Sequence, residues 1–406
     1  MKKILLPLLL AALTLAHGTA GAWGFFGHRT ITQVAIYQLP PAMQAFYYRH
    51  MAELVQLSTA PDERRNSDPT EAPKHFIDVD HYSEDNPFGK LPKQYERAVQ
   101  KYSADTIKKY GIVPWVIMDM KDSLTQAFRV SDTTAILHYS AELSHYVSDS
   151  FVPLHTTINY DGQLTDQKGL HSLWESQLPE RFIGDYKLLD TEGPKYLKDP
   201  LTAIWGVIQS SYGFLGETFD QATKIEKVMK PNVRFTFSHR YGKTTRRYSD
   251  AFADAYEKTV GGMVNYRLKT APTMVASLWL TAWQDAGKSD LSLSMSPRKQ
   301  TKEEKEKLAV ELAAWKRNTL PQDQLLLAQQ KAKKVEVTDV IKSVKDAPDA
   351  PADKDDDDEP APAPTEPAPA AAAPEPSAPA PVADKLKVKT KGAAGTEKIK
   401  QKNSKP

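Results

Sequence analysis

Between His145 and His155 the chain reads HYVSDSFVPLH, two histidines and an aspartate within eleven residues, with a proline ahead of the second histidine. On a helix, His145 and Asp149 stand four residues apart on one face, close enough to grip a single ion. Pro153 interrupts that helix, because its ring clashes with the preceding turn and it has no N–H to offer. The break can swing His155 away from the first pair, toward a different ion. An isolated H-x3-D more often marks a core histidine beside a helix cap. The rest of the chain has to decide between the two.

More donors of the same kind follow and precede it. GLHSLWESQLPE repeats the four-residue spacing with His171 and Glu175; KHFIDVDHY carries His75 and Asp78; APDERR carries Asp62 ahead of Arg64 and Arg65. The chain opens with Lys2 and Lys3, an apolar run to about Ala16 and then Ala20-Gly21-Ala22, the pattern of a secretory signal peptide spanning residues 1–22. Cleavage there would start the mature chain at Trp23, five residues before His28 in WGFFGHR. A freed α-amino group has a pKa of about 7.7–8.0 and can serve as a nitrogen ligand. Zinc takes this mixture of imidazole nitrogen and carboxylate oxygen. The other histidines read more plainly. His17 leaves with the leader, His50 and His239 lie among basic residues, and His81 is in a polar loop. His138, two turns before His145, fits a supporting contact and core packing equally.

An exported chain with no cysteine has no disulfide to brace it, and bound metal is a candidate substitute. A formal net charge of +2 argues against an overall electrostatic grip on nucleic acid or anionic lipid, though not against a local one. No stretch after the leader approaches the roughly 20 apolar residues of a membrane span, so the exported product, periplasmic or secreted, is expected to be soluble. Apolar residues recur at helical intervals over 30–39, 95–110, 131–148, 200–214 and 248–280, and no series of alternating, strand-like segments is present. The expectation is one all-α domain over residues 23–295. Residues 296–345 read as a charged helical extension with Leu308, Leu312 and Trp315 on one face. Residues 346–406, rich in Pro, Ala and Asp and then in Lys, are expected to be disordered. The lysine-rich end is a candidate contact for anionic envelope polymers, although a solvated tail without a partner is commoner.

Trp23 at the expected cleavage point, His28, Asp62, His75, H-x3-D-x5-H at 145–155 and H-x3-E at 171–175 together resemble the superfamily of zinc-dependent phospholipases C and S1/P1 nucleases. The resemblance implies a single, mainly helical domain with three zinc ions in a cleft. Asp62, His75, His145 and Asp149 would hold the first ion. Asp149 would bridge to a second, completed by the amino nitrogen and carbonyl oxygen of Trp23 and by His28. His155, His171 and Glu175 would hold the third. A water between the paired ions would attack phosphorus, with Asp62 orienting it or taking its proton, and Arg65 matches an arginine that the nuclease branch sets against the phosphate. Without the resemblance, Arg65 is equally a surface residue of a charged loop.

The branch markers conflict. Glu175 as the last ligand is typical of the phospholipases, and the Gly-Gly-Asn segment expected in nucleases is replaced here by TTINYDGQLTDQKGL. Cysteines that many of the nucleases use for disulfides are also absent. Against this stand Arg65, and Phe76 with Asp78, which resemble residues holding a base, although HF-x-D also occurs in phospholipases and such a Phe is more often core. The expectation is therefore a phospholipase C-like phosphodiesterase acting on phospholipid head groups, with an S1/P1-type nuclease for single-stranded DNA or RNA as the alternative. A non-catalytic zinc-binding envelope protein is a third reading. It suits the ligand set least, because His155, His171 and Glu175 leave a position open where a bracing site is closed by four ligands.

Overall fold

The computed structural model describes residues 23–83, 85–240, 243–292, 300–332 and 340–341; the leader and the tail expected from sequence lie outside them. The described chain is mainly helical. The elements that frame the site are α1 (Gly24–Gln38), α2 (Ala60–Arg64), α3 (Val113–Val130) and α4 (Thr133–Ser150). After them come α5 (Pro200–Gly213), α6 (Leu215–Val228), the hairpin β1 (Phe235–Arg240) and β2 (Lys243–Tyr248), α7 (Asp250–Asp285) and α8 (Lys302–Lys316). No described helix is long and apolar enough to cross a membrane.

The start of α4 is set by Asp132, whose carboxylate accepts the Ala135 N–H at 3.0 Å. From Ser140 to Ser150 every residue of α4 is buried, so this half of the helix runs through the centre of the molecule. It ends because Val152, held extended ahead of Pro153, cannot continue the helix. The 36-residue α7, capped by Ser249, lies against α1, α3 and α4 and buries Phe252, Tyr256, Val264, Leu268, Val275 and Trp279.

Several elements differ from the sequence expectation. The first helix begins at Gly24 rather than residue 30, so that His28 is inside it. A β-carbon on Gly27 would lie 2.8 Å from the Trp23 ring, and only glycine leaves room for that ring to fold back under the helix. The helix expected over 95–110 is two, Tyr95–Tyr102 and Ala104–Lys109, divided at Ser103, whose positive φ of 71° breaks the first and whose hydroxyl caps the second. The β1–β2 hairpin, with Phe235 opposite Tyr248 and Arg240 opposite Lys243, has no counterpart in the helical expectation. A two-residue strand, Val340–Ile341, pairs with the other side of β1. Helix α8 forms, as its Thr301–Glu304 capping box dictates. It is joined to the body rather than standing off as an extension: Leu308, Ala314 and Trp315 are buried, Tyr37 donates to Glu311 at 2.9 Å, and the Trp315 indole donates to the Leu188 carbonyl.

Candidate metal centre

Six separate pieces of chain bring their donors to one buried place. Helix α1 carries His28, α2 carries Asp62, a single turn over Ala72–Lys74 presents His75, and α4 carries His145 and Asp149. The Pro153–Thr156 turn presents His155, and a π-helical turn over Leu173–Gln177 carries Glu175, with His171 four residues ahead of it. The wider π turn is a common device at functional sites, since it redirects side chains within a helix.

The donors fall into three groups, each with its atoms within 4.8 Å of one another: His28, His145 and Asp149; Asp62, His75 and His145; His155, His171 and Glu175. In the first two, His28 Nε2 is 3.4 Å from Asp149 Oδ1, and His145 Nε2 is 3.0 Å from His75 Nδ1. His75 Nδ1 is also 3.0 Å from Asp149 Oδ2 and 3.7 Å from Asp62 Oδ1. In the third, the Nε2 atoms of His155 and His171 are 2.9 Å apart and Glu175 Oε2 is 2.9 Å from His171. Asp149 connects the sets, with its Oδ1 also 3.9 Å from His155 Nδ1. Ser58 and His75 supply backbone carbonyls that accept from His145 Nδ1 at 2.8 Å and His155 Nδ1 at 2.7 Å. Each ring is thereby held in the tautomer that turns a lone pair on Nε2 toward the centre.

The donor set fits a cation. Both ring nitrogens of His28, both oxygens of Asp62, Asp149 Oδ1 and Glu175 Oε1 are buried with no hydrogen-bond partner. Leaving so many polar atoms unpaired in one interior would be costly without a positive group among them. The separations are of the order expected around an ion whose bonds are about 2.0–2.1 Å, and the chemistry is that of zinc ligands. The protonation state agrees at His145 and Asp149, whereas burial raises Asp62 to about 6, and at His75 and His171 burial would lower the ring but the carboxylates beside them outweigh it and raise it. Burial, with the charge of His28, pushes His145 well below its ordinary value. Burial would raise Asp149, but the neighbouring imidazoles of His145, His28 and His75 outweigh it and hold the carboxyl well below the usual range. Neutral imidazole and ionised carboxylate are the forms that bind metal.

Trp23 is fully buried, with its indole donating to the Ser148 carbonyl at 2.7 Å and its ring 5.1 Å from Trp174. Its backbone nitrogen donates to Glu175 Oε2 at 2.7 Å, so the hydrogen bond joins it to the third donor group. The resemblance places it instead beside His28 and Asp149. Arg65 is partly exposed, 3.9 Å from Asp62, and its charge is felt at His171, so it lies between the second and third groups. The segment of Phe76 and Asp78 runs beside His155, with the Ile77 N–H donating to the His155 carbonyl at 2.9 Å. Phe76 is half-buried; Asp78 is buried, and burial with the charge of Asp80 pushes its carboxyl well above the ordinary range. His138 is exposed and takes no part.

Two supporting groups carry little or no signal in the sequence. Glu71 Oε1 stands 3.5 Å from His75 Nε2, the ring atom facing away from the centre, and Glu71 is itself held by Arg64, Lys74 at 2.8 Å and the Tyr146 hydroxyl. Burial would raise Glu71, but the hydrogen bonds from His75, Lys74, Tyr146 and Arg64 hold it ionised far below its usual range. Its one signal in the sequence is the i−4 spacing to His75. Arg267 of α7 is buried with no carboxylate of the described residues beside it; it donates to the Phe151 carbonyl at 2.8 Å and to Ser211, whose hydroxyl donates to the Ser150 carbonyl at 2.6 Å. A cation at the C-terminal end of α4 satisfies the carbonyls freed by the break before Pro153. Nothing local in the sequence marks it, since its partners lie more than fifty residues away.

Comparison with known proteins adds a family. The S1/P1 Nuclease family model matches residues 23–283. Nuclease S1 of Aspergillus oryzae is 26% identical over 201 residues, 45% of this chain and 63% of that protein. Nuclease P1 of Penicillium citrinum is 28% identical over 193 residues, 42% of this chain and 63% of that protein. The chain thus matches less than two thirds of the length of these curated relatives.

Proposed function

Since the chain belongs to the S1/P1 nuclease family, we propose that it is a zinc-dependent phosphodiesterase that hydrolyses single-stranded nucleic acid. This reverses the order of preference drawn from Glu175 and from the missing Gly-Gly-Asn: the family model and the named relatives favour the nuclease over the phospholipase. A carboxylate at position 175 differs from aspartate by one methylene and serves either branch, so it discriminates weakly. The observation that carries the reading is the convergence of eight buried or part-buried donor residues, many of their polar atoms unpaired, in a chain of this family.

Zinc bound among these donors would acidify water and offset charge on a phosphate. We assign Asp62, His75, His145 and Asp149 to one ion, Asp149, His28 and the processed Trp23 to a second, and His155, His171 and Glu175 to a third. Asp62 orients the attacking water and takes its proton. Arg65, at the exposed margin of Asp62, pairs with a phosphate oxygen. Phe76 and Asp78 hold a base, the ring by stacking and the carboxyl by hydrogen bonding. The leader directs export, and the enzyme acts outside the cytoplasm. Assaying purified mature protein on single-stranded DNA, RNA and phosphatidylcholine, with and without a strong chelator, tests this. Chelator-sensitive cleavage of the nucleic acids is expected; turnover of phosphatidylcholine alone would overturn it.

A further inference from the structure

Between His155 and His171 runs TTINYDGQLTDQKGL, the segment that stands in place of the nuclease Gly-Gly-Asn. Its own side chains brace it. Asp80 accepts from the Thr157 hydroxyl at 2.6 Å and from the Ile158 N–H at 3.1 Å, tying the start of the segment to the turn that follows Asp78. Asn159 accepts from the Leu164 N–H at 2.8 Å. Gln163 accepts from the Asp161 N–H at 2.9 Å and donates to the Ile158 carbonyl at 2.7 Å. Near the far end the buried Gln167 donates to the Phe219 carbonyl of α6 at 2.9 Å. A loop cross-braced in this way keeps Asp161 in one place.

What Asp161 touches is the start of the helix that carries two of the third group's donors. Leu170–Ser172 runs on through the π turn Leu173–Gln177 into Leu178–Phe182, so His171 belongs to its first turn. The residue at the N-cap is Gly169, at φ 99°, which has no side chain to accept from the N–H groups of that turn. Asp161 supplies the acceptor from ten residues before His171: its carboxylate accepts from the His171 N–H at 3.2 Å, and the Gly169 N–H steadies the same charge. A negative charge at this end also suits the helix dipole. The rings of His145 and His155 are aimed from behind by backbone carbonyls, and that of His75 by Glu71. His171 is aimed through its own main chain. Metal–ligand distances tolerate only about 0.2 Å, so a first turn that frays carries His171 Nε2, now 2.9 Å from both His155 Nε2 and Glu175 Oε2, out of the coordination distance.

We propose that Asp161 is the positioning residue of the third donor group: by capping the helix at Gly169 and His171 it sets the His171 ring for the ion that His155 and Glu175 share. The proposal rests on the assignment of that group to zinc and adds a residue that never touches the ion. Zinc release from loaded wild type, Asp161→Ala and Asp161→Asn is followed by competition with a coloured chelator, and melting is measured alongside. In Asp161→Ala one zinc equivalent is expected to bind about 10–100-fold more weakly, with the rest of the zinc held as in wild type. Asp161→Asn, whose amide oxygen can still accept from the His171 N–H, should recover most of that loss. Wild-type affinity in Asp161→Ala, an equal weakening of every equivalent, or an Asn variant as weak as the Ala one would overturn the proposal. Should Asp161→Ala not fold, Gln163→Ala decides in its place: this exposed change frees the Asp161 N–H, a smaller weakening of the same single equivalent is expected, and none would overturn the proposal. No nucleic acid enters these measurements. If wild type has no separable zinc equivalent to lose, the proposal falls together with the third ion; if it holds its zinc but cleaves no nucleic acid, the nuclease reading fails and the zinc comparison still decides the role of Asp161.

Discussion

Glu71 matters to the site through a single ring atom. With its charge 3.5 Å from His75 Nε2 it favours a proton on that nitrogen and leaves the Nδ1 lone pair to face the centre, and its ionised state makes the imidazole a stronger base. Glu71→Gln keeps the size and removes the charge, so zinc affinity is expected to fall about 10–100-fold, read by competition with a coloured chelator. An unchanged affinity would mean that Tyr146 and Arg64 suffice to hold the ring. A second carboxyl acts on stability alone. Burial pushes Glu257 up to about 7 from an ordinary 4.5, the Tyr186 hydroxyl opposing the shift and Asp185 reinforcing it. Between those values the unfolded chain has lost a proton that the folded one keeps, so stability falls as pH rises through the window and levels off above it. Glu257→Gln, whose amide oxygen can still accept from Tyr186, is expected to raise Tm over wild type at about pH 8 and to leave it nearly equal at about pH 4. The same gain at both values would rule out titration as its source.

At the scale of elements, the site depends on where α4 stops. Asp149 belongs to its last turn and His155 to the turn after Pro153, so the break separates two donor groups while keeping them adjacent. In Pro153→Ala the restraint on Val152 is gone and α4 can extend, carrying His155 around the helix axis. Activity is expected to fall about 10–100-fold with loss of the third group's ion, and circular dichroism should show slightly more helix. Metal content and rate equal to wild type would show that Arg267 and Ser211 terminate α4 without the proline. This break is legible in the sequence, as are the i,i+4 pairs, because a helix converts spacing directly into shared direction. The grouping of donors across elements is a different matter: His28 meets Asp149, and Trp23 meets Glu175, only through the packing of α1 on α4 and on the π turn. The hairpin is hidden because two short strands, Phe235–Arg240 and Lys243–Tyr248, show no period long enough to stand out against the helices around them.

For the molecule as a whole, the boundary that composition suggests near 295 does not coincide with the boundary in packing. Leu308, Trp315, Leu320 and Leu326 are buried, and Gln33 of α1 donates to the Leu325 carbonyl at 2.8 Å. Each such side chain contributes about 1.5–3 kcal/mol, so a chain ending near 299 is expected to lose much of a domain's usual 5–15 kcal/mol. A chain ending at 332 should melt with the full protein and retain its rate on dinucleotides. Equal melting for both truncations, by calorimetry, would show that the segment packs without stabilising. The hydrogen bond from Trp23 to Glu175 has a consequence for timing. With residue 22 attached, that nitrogen is a peptide N–H, which donates a proton to a carboxylate oxygen and has no lone pair for a metal. On the proposed function, a precursor still carrying residue 22 is then expected to be a zymogen, its leader the inhibitor, and the cell would be shielded from the proposed nuclease until export. One added residue ahead of Trp23 should reproduce this latency in the purified enzyme, and equal zinc content and rate with and without it would dismiss the idea.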